Sequence, residues 1–108
     1  MMNSATFEHA RVFAALGDGT RLELVARLIR HGDRSIAQLT SGLRITRQAV
    51  TKHLRVLEEA KVVSRTRVGR ESRFAIQKET LESAQDYLAQ ASAQWDEVIA
   101  RIRESVEE

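Results

Sequence analysis

Arg47, Gln48, Thr51, Lys52 and Arg55 lie within nine residues of one another and supply the side-chain groups that read a polyanion. In the stretch TRQAVTKHLRVL, residues 46–57, Val50, Leu54 and Leu57 recur at i, i+4 and i+7. That spacing predicts a helix which buries one stripe and turns its donors to water. The fork of Arg47 matches guanine O6/N7 and the amide of Gln48 matches adenine N6/N7. Thr51, one turn on, offers a thymine methyl or a phosphate a partner. Thr46, Lys52, His53 and Arg55 suit backbone phosphates, which fix register without reading sequence. Thr46 is also a good N-cap, and an exposed helix start favours an anion.

These side chains need a platform. Ser35 and Gln38 form an S-x-x-Q capping box that opens a short helix containing Ile36 and Leu39, and Gly42 can close it. Two helices joined by a tight Gly-containing turn make a helix-turn-helix. From Val62 the period changes to two. Val62 to Val68 and Ser72 to Ile76 read as strands separated by Gly69 and Arg70, a two-residue hairpin turn. Arg67, Arg70 and Arg73 make this hairpin a wing able to reach a phosphate backbone or a minor groove. The charge is divided accordingly: residues 44–77 carry +6, residues 1–43 carry +1 and residues 78–108 carry −5. A polyanion would dock on the middle third.

The ends of the chain are apolar in a different way. Asn3 to Leu16 places Phe7, Ala10 and Ala14 on one stripe, with Val12, Phe13 and Leu16 beside it. The next helix starts at Asp18 or at a Thr20–Glu23 capping box, with Leu22, Val25, Leu28 and Ile29 as its core stripe and Gly32 as its stop. Residues 79–106 read as one long helix. Its seam, Leu81, Ala84, Leu88, Ala91, Trp95, Val98 and Ile102, alternates steps of three and four. So small a protein has little core left for that seam, so Phe7, Val12, Phe13 and the seam residues are expected to form a dimer surface. The expected architecture is mainly α with a small β-hairpin, in the order α-α-α-α-β-β-α. It is a single winged helix-turn-helix domain over residues 1–108, with N- and C-terminal dimerisation helices at about 3–16 and 79–106.

Composition excludes several classes. With 108 residues, 43% of them apolar and only 5% aromatic, one helical core is expected. There is no Cys, hence no disulfide or thiolate metal site. His9, His31 and His53 show no ligand spacing, so neither a metal nor a cofactor is expected. No apolar run approaches the roughly 18 residues of a membrane span, and Met1 to Arg11 lacks the apolar core of a signal peptide. The expectation is a cytoplasmic protein held at the nucleoid by DNA. No G-x-S-x-G, phosphate-cradling Gly loop or H-E-x-x-H is present, so catalysis is not expected.

The runs ALGDGTRLELVARL, SIAQLT and ITRQAVTKHLRVLEEAKVVSRTRVGRESRFAI stand in one order and spacing. Over roughly residues 8–77 they resemble the ArsR/SmtB family of bacterial winged-helix transcriptional regulators. The resemblance implies a homodimer that binds an imperfect inverted repeat in double-stranded DNA, usually as a repressor. It also places His53 near the DNA backbone. Two departures concern local structure: the family commonly has Pro where this chain has Gly19, and Gly where it has Lys61. Two others concern metal. The family's Cys box is replaced by Ser35-Ile36-Ala37-Gln38-Leu39-Thr40, and residues 78–108 contain no His, so the resemblance is to a branch without those metal sites. A small-molecule effector between first and last helices is compatible with this, and no residue set identifies one. The competing reading is a winged-helix protein-interaction module that does not bind DNA specifically and uses its acidic tail to hold a partner. A MarR-like regulator is a nearer competitor, though such chains are usually longer.

Overall fold

The computed structural model describes residues 4–107, so Asn3 of the expected first helix lies outside the described residues. The elements are α1 (Ser4–Leu16), α2 (Gly19–His31), β1 (Arg34–Ser35), α3 (Ile36–Thr40), α4 (Arg47–Glu59), β2 (Val63–Val68), β3 (Glu71–Ile76) and α5 (Lys78–Glu107). The three strands form an antiparallel sheet in the order β1-β3-β2. β1 was not expected. Its two residues pair Arg34 with Phe74 and Ser35 with Arg73, turning the hairpin into a sheet anchored beside α3.

Local capping explains most boundaries. Asp18, not Thr20, caps α2: its carboxylate accepts from Arg21 N at 3.0 Å, and that donor holds the carboxyl below its usual pKa range. Glu23, freed from capping, pairs with Arg27 at 3.2 Å and Arg30 at 3.5 Å. The expected capping box of α3 forms, with Gln38 N donating to Ser35 Oγ at 3.2 Å and Ser35 N to Gln38 Oε1 at 2.9 Å. Thr46 Oγ1 caps α4 by accepting from Ala49 N at 3.1 Å. Gly69 takes φ 62 at the first position of the wing turn, which an L side chain resists.

α4 ends in a Schellman motif: Val62 N donates to Leu57 O at 2.9 Å and Lys61 N to Glu58 O at 3.0 Å, with Leu57 and Val62 both fully buried. Val62 therefore belongs to this helix end, and the strand begins at Val63. Lys61 occupies the left-handed position with φ 64, alone among described non-Gly residues in having a positive φ. Lys61→Gly is expected to stabilise the fold by about 0.5–1 kcal/mol, because relief of the Cβ clash outweighs the extra chain entropy of glycine. Urea unfolding should show a higher midpoint at unchanged slope. A lower midpoint would mean that Lys61 bears no strain.

The core joins Val12 and Ala15 of α1, Leu24, Val25 and Leu28 of α2, Leu39 of α3, and Val50, Leu54 and Leu57 of α4. Val62, Val63, Phe74 and Ala84 complete it. Two expected faces are corrected. In α2, Leu24 takes the core position assigned to Leu22 and Ile29, which are 53% and 63% exposed. Val12 and Ala84, expected at a dimer surface, are each 4% exposed inside the protomer, because α5 begins by packing across α1. Phe13 and Leu81 are partly buried against the same core.

Beyond that contact α5 runs out alone. Thirty residues span about 45 Å, and the protein measures 67 × 29 × 22 Å. Its radius of gyration, 18.1 Å, exceeds the roughly 13 Å of a compact chain this long. Leu88, Trp95, Val98, Ile99 and Ile102 are exposed along the projecting part, as is Phe7 on α1, and Ala91 is half-buried. Among the described residues no helix is long and apolar enough to cross a membrane.

Candidate nucleic-acid interface

The buried stripe of α4 decides which side chains remain outside. Val50, Leu54 and Leu57 are fully buried against α2, α3 and β2, so Arg47, Gln48, Thr51, Lys52 and Arg55 gather on the opposite side around a shallow concavity. Arg47, Gln48, Lys52 and Arg55 make no side-chain hydrogen bond or ion pair with another described residue, and all four are exposed. Their donors are available to a ligand without first breaking an internal bond. Thr51 is half-buried, and its hydroxyl donates to Arg47 O at 2.9 Å, which leaves its methyl as the group to offer a base. Thr46 uses its oxygen as acceptor in the cap and keeps its hydroxyl hydrogen free to donate.

His53 does not belong to this set. At 100° per residue it lies roughly 170° around α4 from the midline of the five outward residues, and its Nδ1 faces Arg21 Nη1 at 3.1 Å. Asp18 Oδ1 is 4.0 Å from the same nitrogen. His53, expected at a backbone phosphate, turns its Nδ1 to α2, because this position flanks the buried stripe.

The wing divides its arginines between two faces. Register pairs Arg65 with Phe74, Arg67 with Ser72 and Thr66 with Arg73, so Arg65 and Arg67 share one face and Arg73 projects from the other. Arg67 and Arg70 are exposed, with no internal partner among the described residues. Arg65, which sequence reasoning left without a role, lies 3.6 Å from Glu58 and ties the wing to the end of α4. Arg73 is bound twice, to Asp33 and, at 3.3 Å, to Glu71. The Asp33 carboxylate raises its pKa further, so it stays a cation. Expected as a wing contact with DNA, Arg73 instead anchors β3 to the segment before β1, since the β1–β3 pairing brings Asp33 to it. Arg44, exposed in the turn before α4, was overlooked because no periodicity marks a turn residue.

The helix-turn-helix is itself fastened by an arginine. Arg27 Nη1 donates to Leu39 O at 3.0 Å and to Ser41 O at 2.5 Å, satisfying carbonyls at the end of α3 that the short helix leaves open. No group of three His, Asp or Glu side chains that would hold a metal gathers among the described residues.

A helix-turn-helix followed by a β-hairpin with a basic tip is a winged helix-turn-helix. Known proteins give that class a family. A helix-turn-helix domain model matches residues 16–66. The HTH-type transcriptional regulator Rv2034 of Mycobacterium tuberculosis is 43% identical over 53 residues, 49% of this chain and 49% of that protein, so the match spans about half of its length. The HTH-type transcriptional regulator YuzN of Bacillus subtilis is 40% identical over 65 residues, covering 55% of this chain and 71% of YuzN. Among solved structures, an ArsR-like transcriptional regulator from Rhodococcus sp. RHA1 superposes with a TM-score of 0.82 at 36% identity, covering 94% of this chain and 95% of that one. The chain belongs to the ArsR family of winged helix-turn-helix transcriptional regulators.

Proposed function

We propose that the protein is a homodimeric repressor that binds an inverted-repeat operator, with α4 of each protomer in the major groove of one half-site. The observation that carries this reading is the outward face of α4, where Arg47, Gln48, Lys52 and Arg55 are exposed and uncommitted while Val50, Leu54 and Leu57 of the same helix are fully buried. In that pose Arg47 and Gln48 read base edges and the Thr51 methyl meets a thymine. Thr46, Lys52 and Arg55 hold phosphates, and Arg67 and Arg70 carry the wing along the backbone. Dimerisation enters because one α4 and one wing bury too little for operator selectivity. Two copies double the contacts and fix their separation near one DNA turn, about 34 Å. The exposed stripe of Phe7, Leu88, Trp95, Val98 and Ile102, with half-buried Ala91 among them, supplies the surface for pairing. Repression follows when such a dimer occupies a promoter.

Selection of bound duplexes from random DNA tests the reading, and it should return an inverted repeat bound less tightly as salt rises. Gln48→Ala should then cost about 1–3 kcal/mol on that operator and relax preference at one base pair. Arg70→Ala should weaken specific and random duplex alike and lower the salt slope by about 1. Equal losses on both duplexes for Gln48→Ala would remove its base-reading role. Failure to enrich any duplex would overturn the reading and favour a protein partner.

A further inference from the structure

One side chain spans three helices behind the DNA-facing surface. Arg21, in the first turn of α2, donates from Nε to Ala15 O in the last turn of α1, and its Nη1 lies 3.1 Å from His53 Nδ1 in the middle of α4. A guanidinium has only donors, so this bond uses the lone pair of Nδ1 and places the His53 proton on Nε2. Asp18 Oδ1, at 4.0 Å from Nδ1, is too far to accept a hydrogen bond from the ring. Its carboxylate instead accepts from Arg21 N and sets a negative charge beside the guanidinium. Arg21 is only partly buried, and His53 keeps a quarter of its side-chain surface exposed.

We infer that Arg21 is a positioning residue for operator recognition, setting the angle of α4 against α1 through His53. The inference rests on the reading of α4 as the DNA helix and of α1 as part of the dimer surface. Val50, Leu54 and Leu57 hold α4 to the core by non-directional apolar packing, and Glu58 ties only its last turn to Arg65, so neither sets by a directed bond the roll of the helix about its stripe. Two directed hydrogen bonds from a planar guanidinium resist that roll. α1 carries Phe7 toward the second copy and α4 carries Arg47 and Gln48 toward the bases. The link between them therefore fixes the distance between the two recognition helices of the dimer, and with it the spacer between half-sites that the dimer accepts.

The test is a set of inverted repeats with constant half-sites and spacers varied by single base pairs, bound by the full-length protein at fixed salt. The wild type should prefer one spacer over its neighbours by about tenfold or more. Arg21→Ala and His53→Leu should each flatten that preference to about threefold or less, a change that loss of stability alone would not produce. The imidazole 15N shifts of the free wild-type protein should report the proton on Nε2, and that signature should be lost in Arg21→Ala. If Arg21→Ala does not fold, His53→Leu and the 15N shifts decide. A wild-type spacer profile in either folded variant, or a wild-type His53 proton on Nδ1, overturns the inference and leaves the operator reading intact. A wild type that selects no inverted repeat overturns the operator reading and the inference together.

Discussion

Leu54→Ala is expected to cost about 2–5 kcal/mol of folding stability, against a total of about 5–15 kcal/mol for a domain of this kind. Leu54 is fully buried between Val50 and Leu57 on α4, and the helix meets α1, α2, α3 and β2. The loss has two parts: apolar atoms no longer removed from water, and a cavity that five converging elements cannot collapse to fill. Denaturant unfolding measures it directly. DNA binding should fall by the fraction of protein unfolded, while the folded fraction keeps the base preferences of the wild type, since Leu54 contributes no outward group. A loss below about 1 kcal/mol would mean that α4 is held elsewhere than through this stripe.

The second large effect is expected at Trp95. Its side chain is 66% exposed on a part of α5 that touches little of its own protomer, and Leu88, Val98 and Ile102 continue the same stripe. A large aromatic at the centre of a paired surface contributes about 2 kcal/mol or more on truncation to alanine. Trp95→Ala should therefore weaken the dimer about thirtyfold or more. Sedimentation at graded concentrations reads the constant. The thermal midpoint at concentrations where both proteins are monomeric should scarcely move, because the exposed indole contributes little to the protomer's own core. Operator affinity should drop with dimerisation, and half-site affinity should not. An unchanged dimer constant would remove Trp95 from the interface, and a monomeric wild type would remove the interface itself.

Elements that depend on neighbouring residues were legible before any tertiary structure. The S-x-x-Q box, the Thr46 cap, the Gly32 stop and the Gly69 turn each act within a few bonds, and each is present in the fold. The outward set on α4 was also legible, because one strong apolar stripe leaves a single complementary face. Interactions between distant segments were not. β1 is two residues long, and only β3, some forty positions away, makes it a strand. The same pairing brings Asp33 to Arg73 and binds that arginine within the fold.

What the residues alone determined is therefore the class of element at each place, the position of most caps, and a basic helix-and-hairpin face fit for a polyanion. These follow from periodicity, capping chemistry and charge, which are properties of short stretches of chain. The tertiary structure decided which face of each helix closes on the core. In α2, Leu22, Val25 and Ile29 form one apolar stripe and Leu24, Val25 and Leu28 form another roughly a quarter of a turn away. The helix buries the second because that is the side on which the rest of the core closes. In α1 and α5 the seam expected at a dimer surface is shared, since the first turns of α5 spend Ala84 on the protomer's own core and leave Trp95 and its neighbours outside. At His53 the same cause operates: a residue beside the buried stripe faces whichever helix packs there, and that helix is α2, bringing Arg21.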